Sequence, residues 1–278
     1  MGYGDYIMLS GIVRDFRKKF PGTAITARAA ERSGYFQAIF QGNPYITRAA
    51  DVDGTKPVLD LPPVQFGARD EAEGRIRWSP GFTAIPGNLY FSDAEMQWAI
   101  RVTEEIRMRS GSDLLVLANP YAKQGVVVDG RQFDYEHHVN KEWGAAGYEE
   151  LVRALRGTAA FLQPVAESDT RPVLAGMHAV VSNYREAAAL LTQCDAYLGC
   201  EGGLHHAAAA LDRRGVVIFG GWLSPKVTGY PIHDNVYRGD LEDACGSLRV
   251  CPHCREIMDG IRVDEIALRL EAMLGVRA

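Results

Sequence analysis

From position 113 to position 221 the chain alternates short apolar runs with helical stretches, and that alternation leaves few folds open. DLLVLAN (113–119) has the pattern of a buried strand, 144–156 reads as a helix and 159–163 as a strand. A helix over 183–193 leads to DAYLG (195–199), again a strand; 203–211 is helical, GVVIFGG (215–221) is a strand, and a last helix covers about 263–274. Strands joined through helices run parallel and need helices on both faces of their sheet. The ligand crevice of such a sheet lies outside the carboxyl ends of its strands.

The first half is less regular. Ile7, Met8, Ile12, Val13 and Phe16 recur at helical spacing within 5–20, Pro21-Gly22 ends that helix, and TAITA (23–27) follows as a strand. Strand and helix recur weakly over 28–60, and 58–80, rich in Pro, Gly and charge, reads mostly as loop with room for one strand. Ser92 and Glu95 form a capping box for a helix to about Arg109. Ser110-Gly111-Ser112 marks a boundary, giving an N-terminal domain over 1–110 and a C-terminal domain over 111–278. At 278 residues the chain is long for one compact core. The expected fold is α/β, two Rossmann-like domains with parallel sheets facing a central cleft.

Five segments carry candidate chemistry. Gly2-Tyr3-Gly4-Asp5 opens the first helix, where unpaired N–H groups gather and glycine permits close approach. Asp5 there could take a proton from a hydroxyl, although capping the helix is the commoner fate of such an Asp. Glu201-Gly202-Gly203-Leu204-His205-His206 falls where a strand passes into a helix, a site suited to anions, and Glu201 could accept hydrogen bonds from sugar hydroxyls. Adjacent histidines leave a helix on different sides, so one of the two should face the cleft. Lys141, ahead of a helix and beside Trp143, could neutralise a diphosphate, but a solvated surface lysine is the commoner case. The glycine-rich loop 219–230 follows a strand. Cys245, Cys251 and Cys254, with His253 or the more distant His233, have the spacing of a closed structural zinc or iron site, against buried free thiols.

A formal charge of -5 argues against a surface given over to nucleic acid. No apolar run is long enough to span a bilayer, and the N-terminus meets charge too early for a secretory leader, so a cytoplasmic location is expected. Five cysteines, an odd number, do not suggest a disulfide scaffold. Homo-oligomerisation is compatible with the sequence.

Taken together, GYGDYIMLSGIVRDFRKKFPGTAI, NKEW, SNYREAAALLTQCDAYLGCEGGLHHAAAAL, VVIFGGWLSP and CPHCREIMDGIRVDEI resemble the ADP-heptose:lipopolysaccharide heptosyltransferases, GT-B glycosyltransferases. The resemblance covers most of the chain and is densest from about 140 to 232. It implies an inverting glycosyltransferase of lipopolysaccharide or glycan biosynthesis, needing no cofactor for catalysis, with an ADP-linked, heptose-like donor and a glycan or other hydroxyl acceptor. It assigns Asp5 as general base. It also assigns Gly4, Lys141, Glu201, Gly202, Gly203, Leu204 and His206 to the nucleotide sugar. The family usually has Asp-Thr-Gly where this chain has Glu201-Gly202-Gly203, which puts the identity of the donor in question. Relatives also place a strand before the Gly-x-Gly-Asp loop, where this sequence has only Met1; a start assigned too late is the expected explanation. The competing readings are a nucleotide-sugar epimerase or isomerase on the same framework, with Glu201 or His205 as a further acid or base, and a catalytically idle sugar-nucleotide-binding or assembly module.

Overall fold

The computed structural model describes residues 2–122 and 136–276, with the backbone of 125–128 and 131–134 between them. The first half runs α1 (Tyr3–Lys19), β1 (Ala24–Thr26), α2 (Arg28–Arg32), α3 (Tyr35–Phe40), β2 (Val58–Asp60), β3 (Gly67–Asp70), β4 (Arg75–Trp78) and α4 (Asp93–Ser110). The second half runs β5 (Leu115–Asn119), β6 (Gly125–Val128), β7 (Arg131–Asp134), α5 (Ala145–Ala154), β8 (Ala160–Val165), β9 (His178–Val181), α6 (Tyr184–Leu191) and β10 (Ala196–Cys200). It closes with α7 (Gly203–Ala210), β11 (Gly215–Ile218), α8 (Pro225–Thr228), β12 (His233–Val236), α9 (Pro252–Asp259) and α10 (Val263–Leu274).

The second half builds a 6-stranded sheet in the order β12-β11-β10-β5-β8-β9, and every pair in it is parallel. From β5 the chain steps outward through β8 to β9, then returns to the other side of β5 for β10, β11 and β12. The direction of growth therefore reverses between β5 and β10, and an open sheet binds its ligand in the crevice above such a reversal. Alternation along each strand sends side chains to opposite faces. Leu115, Leu117, Tyr197 and Val217 join one core with α1, α4, α6 and α7, while Val116, Ala118, Leu198 and Ile218 join the other with α5, α9 and α10. This is the mixed α/β architecture that the alternation predicts, of the GT-B type that the resemblance implies.

The first half contributes less sheet. Among the described residues it holds a parallel pair, β1 with β2, and an antiparallel hairpin, β3 with β4. The hairpin lies inside the stretch expected to be mostly loop. Its strands, GARD and RIRW, show no clear apolar alternation, and its apolar side chains pack with neighbouring Phe66 and Phe82 against Trp222, Leu223 and Val227 across the molecule. Helix α1 packs with α7, so Ile7, Leu9 and Val13 share a core with Leu190 and Ala207. Ser92 caps α4 as expected, accepting from the Glu95 N–H while the Glu95 carboxylate accepts from Ser92 N. Strands β9 and β12 have no counterpart in the sequence reading. The run expected over 215–221 leaves the sheet at Ile218, where Phe219-Gly220-Gly221 turns away. No helix among the described residues is long and apolar enough to cross a membrane.

Candidate active site

A cavity of about 680 Å³ opens above the reversal point, with Asn119 at the end of β5 and Cys200 and Glu201 at the end of β10 on its floor. The chain's first helix reaches it as well: Gly4 and Asp5 face it alongside Lys141, Gly202, Gly203 and His206. Residues far apart in sequence thus meet because α1 lies against α7 with both N-terminal ends at the cavity.

The charged side chains form a row. Lys141 Nζ donates to Glu201 Oε2 at 2.6 Å, and His206 Nε2 lies 3.4 Å from Glu201 Oε1. His206 Nδ1 is 2.6 Å from the Tyr230 hydroxyl. A proton on Nε2, facing the carboxylate, leaves Nδ1 free to accept from Tyr230. Burial opposes ionisation of Glu201, but the Lys141 ammonium and His206 outweigh it and hold the carboxyl well below the usual carboxylate range. Lys141 also sits 4.3 Å from the centre of the Trp222 ring, an attractive cation–π contact. His205 turns away from the cavity into the core, where burial, then His206 and His233, push its pKa well below the ordinary value.

Asp5 occupies the third position of α1 and accepts from the Gly2 N–H at 2.6 Å. Its carboxylate keeps some exposure to the cavity but is otherwise walled by protein, and desolvation raises its pKa. Glycine at position 4 is required: a Cβ there would stand 2.3 Å from His206 Cδ2. The two glycines that open α7 differ in use. A Cβ on Gly202 would meet nothing within 4 Å, whereas one on Gly203 would come 3.1 Å from Tyr3 and 3.2 Å from Tyr184. Those tyrosines stack at 3.7 Å, and Tyr184 donates to Gly203 O at 2.9 Å, linking α1 to α7 through the start of α6. Leu204 sends its side chain into the core and is not among the residues lining the cavity.

The opposite wall comes from Phe66, Ile76 and Trp78 of the β3–β4 region, with Trp222, Leu248 and His137. Burial, then Lys141 and Arg69, lower the His137 pKa to about 4.

Behind that wall lie Cys245, Cys251, His253 and Cys254, whose ligand atoms all fall within 4.8 Å of one another and could hold a metal ion. Cys245 Sγ is 2.9 Å from Cys254 Sγ and 3.9 Å from Cys251 Sγ. A hydrogen bond from Cys254 lowers the Cys245 pKa to about 5 and leaves Cys254 raised. His233, the alternative fourth ligand, is elsewhere, in β12 with its Nε2 against Arg213 O.

The family model described as "Glycosyltransferase family 9 (heptosyltransferase)" matches residues 135–243. That stretch includes Lys141, Glu201 and His206. The chain's resemblance to the heptosyltransferases extends to the fold. The E. coli ADP-heptose lps heptosyltransferase II superposes with a TM-score of 0.60 at 13% identity, covering 99% of this chain and 96% of that one. The family 9 glycosyl transferase from Veillonella parvula DSM 2008 does so with a TM-score of 0.63 at 12% identity, covering 100% and 96%. TibC of enterotoxigenic E. coli H10407, an iron-containing dodecameric glycosyltransferase, gives a TM-score of 0.52 at 12% identity, covering 92% and 76%. No curated protein matches the chain by sequence.

Within the matched stretch 135–243 and beyond it, several residues at the cavity or just behind it carry no signal readable from the sequence. Tyr230 and Trp222 belong to the glycine-rich loop that follows β11, but nothing local says that one meets His206 and the other Lys141. Tyr3 stands between two glycines that draw the attention, and its stacking on Tyr184 depends on contact between α1 and α6 that no local pattern announces.

Proposed function

We propose that the protein is an inverting glycosyltransferase that moves a heptose-like sugar from a nucleoside diphosphate, with ADP the favoured nucleotide, to a hydroxyl acceptor. The observation that carries this is the convergence, above the sheet's reversal point, of a desolvated Asp5 with the Lys141–Glu201–His206 row. The ADP-heptose named for the E. coli relative supports the choice of donor.

In this reading the donor diphosphate lies at the N-terminal end of α7, where backbone N–H groups and Lys141 supply positive charge. Glu201 balances Lys141 until the anion arrives and then accepts from donor hydroxyls. His206, held by Tyr230, sits beside the phosphates. Asp5 takes the proton of the acceptor hydroxyl as its oxygen bonds to the anomeric carbon. The bond from that carbon to the diphosphate oxygen breaks on the opposite face, and the configuration inverts. These groups provide for the departing charge without a catalytic cofactor. The cysteine cluster is a structural zinc or iron site, standing apart from the cavity. The dodecameric state of TibC makes homo-oligomerisation worth measuring by light scattering.

Thermal unfolding in the presence of ADP, GDP, UDP and their sugars tests the donor class. A specific ligand at a hundredfold excess over its Kd should stabilise the protein by about 2.7 kcal/mol. Stabilisation by none of them, in folded protein, would rule this function out.

A further inference from the structure

The segment 245–251 joins the cysteines and touches both sides of the cavity wall. On one side it holds the lysine. Asn140, fully buried and next to Lys141, donates through its side-chain amide to Arg249 O at 2.8 Å and accepts the Cys251 N–H at 2.9 Å. Trp222, which lies against the Lys141 ammonium, donates its indole N–H to Ser247 O at 2.8 Å, and its carbonyl accepts the Gly246 N–H at 3.0 Å. On the other side it holds the hairpin. Ile76 N donates to Gly246 O at 2.8 Å and Leu248 N to Gly74 O at 2.9 Å, so the segment runs along β4 as an added edge. Gly246, at φ +60°, permits this approach, since a Cβ there would stand 2.0 Å from Ile76 O.

The segment has little of its own to hold this shape. It forms no helix or strand, and Val250 is exposed. Its ends meet at Cys245 on one side and Cys251, His253 and Cys254 on the other. The donor set suits a metal: tetrahedral coordination at about 2.3 Å per sulfur spaces the sulfurs roughly 3.8 Å apart, close to the 3.9 Å between Cys245 and Cys251. The 2.9 Å between Cys245 and Cys254 is too long for a disulfide bond of about 2.05 Å and shorter than the metal-bound spacing, so a bound ion would draw these two sulfurs apart.

We propose that a zinc or iron ion held by Cys245, Cys251, His253 and Cys254 closes 245–251 into a clamp. The clamp fixes Lys141 and Trp222 on one side and the β3–β4 hairpin on the other, so that donor affinity depends on a metal outside the donor site. The dependence on donor rests on the function proposed above; the clamping of the hairpin does not.

The test uses the whole protein, purified anaerobically under reducing conditions, as isolated, stripped by chelator, and as Cys251→Ser. Metal is counted by mass spectrometry, hairpin order by amide hydrogen exchange, and nucleotide affinity by calorimetry with ADP. The expected result is stoichiometric metal in the isolated protein. Its loss should speed exchange over 67–78 about tenfold or more while β5, β8 and β10 stay protected, and weaken ADP about tenfold. Returning the metal should restore the stripped protein. Absence of metal, a Cys245–Cys254 disulfide in its place, or removal that changes neither hairpin exchange nor ADP affinity would overturn the proposal. If Cys251→Ser does not fold, the stripped and reloaded samples make the same comparison. A metal-loaded protein that ignores every nucleoside diphosphate, yet loses hairpin protection with its metal, would refute the donor reading and leave the clamp standing.

Discussion

Removing the charge of Lys141 would leave Glu201 ionised, buried and without its cation. Breaking a buried pair from one side typically costs about 3–5 kcal/mol, so Lys141→Met should unfold at markedly lower urea than the native protein. Adding Glu201→Gln should recover much of that loss, because the stranded charge is gone; an additive double mutant would contradict the pairing. A fall in activity in Lys141→Met alone therefore says little about catalysis. Asp5 is the better probe. Asp5→Ala should lower turnover by about 100-fold to 10⁴-fold while ADP still binds. Desolvation raises the folded pKa of Asp5, and the base works only when ionised, so activity should fall on acidification at a pH above the usual carboxylate range. An acid limb at the ordinary value would remove Asp5 from that role.

At the scale of elements, α4 and α6 are tied by Glu95 and Arg185. Arg185 Nε donates to Glu95 Oε1 at 2.5 Å and its Nη2 to Oε2 at 2.9 Å, with a further bond to Tyr90 O. This pairing, with the Ser92 cap, lowers the Glu95 pKa from 4.5 to about 2. A folded pKa below the unfolded one gives stability that is complete above the unfolded value and disappears as pH falls through the folded one. Glu95→Gln should thus cost about 2 kcal/mol at neutral pH, and denaturant midpoints of mutant and native protein should converge as pH falls from 4.5 to about 2. A gap that persists in acid would assign the effect to packing. Helices α1 and α7 are joined differently, by close approach. Gly4→Ala drives a methyl into His206, an overpacking cost of about 1–3 kcal/mol, and should disturb the His206–Tyr230 hydrogen bond seen by histidine NMR.

At the scale of the molecule, both chain halves line the cavity and also share one core: Ile7, Leu9 and Val13 of α1 and Ile106 of α4 lie with Leu190 and Ala207. We therefore expect the two chain halves, divided near Gly111, to unfold together. The whole chain should show a single calorimetric transition, and residues 111–278 alone should fail to fold cooperatively, since one face of their sheet would keep α6 and α7 but lose the cover of α1 and α4. Two separate transitions would mean that the shared core is weaker than its burial suggests.

The parallel sheet and its helices were legible because local rules write them. Apolar runs as long as a strand, helical periodicity and caps such as Ser92–Glu95 act over a few residues, and the burial they require is the same wherever the element docks. Asp5, Lys141, Glu201 and His206 stood out for a related reason, lying at helix starts or strand ends where any backbone of this kind exposes polar groups. The hairpin β3–β4, the Tyr3–Tyr184 stack, the Tyr230 and Trp222 contacts and the rejection of His233 as a cysteine-site ligand were not legible. Each depends on contacts between segments distant in the chain, and the residues that make them carry no local pattern. The sequence determined the elements that carry their own apolar period and which side chains are chemically capable; tertiary structure decided the remaining strands and which side chains meet, because contact free energy is set by distance in space.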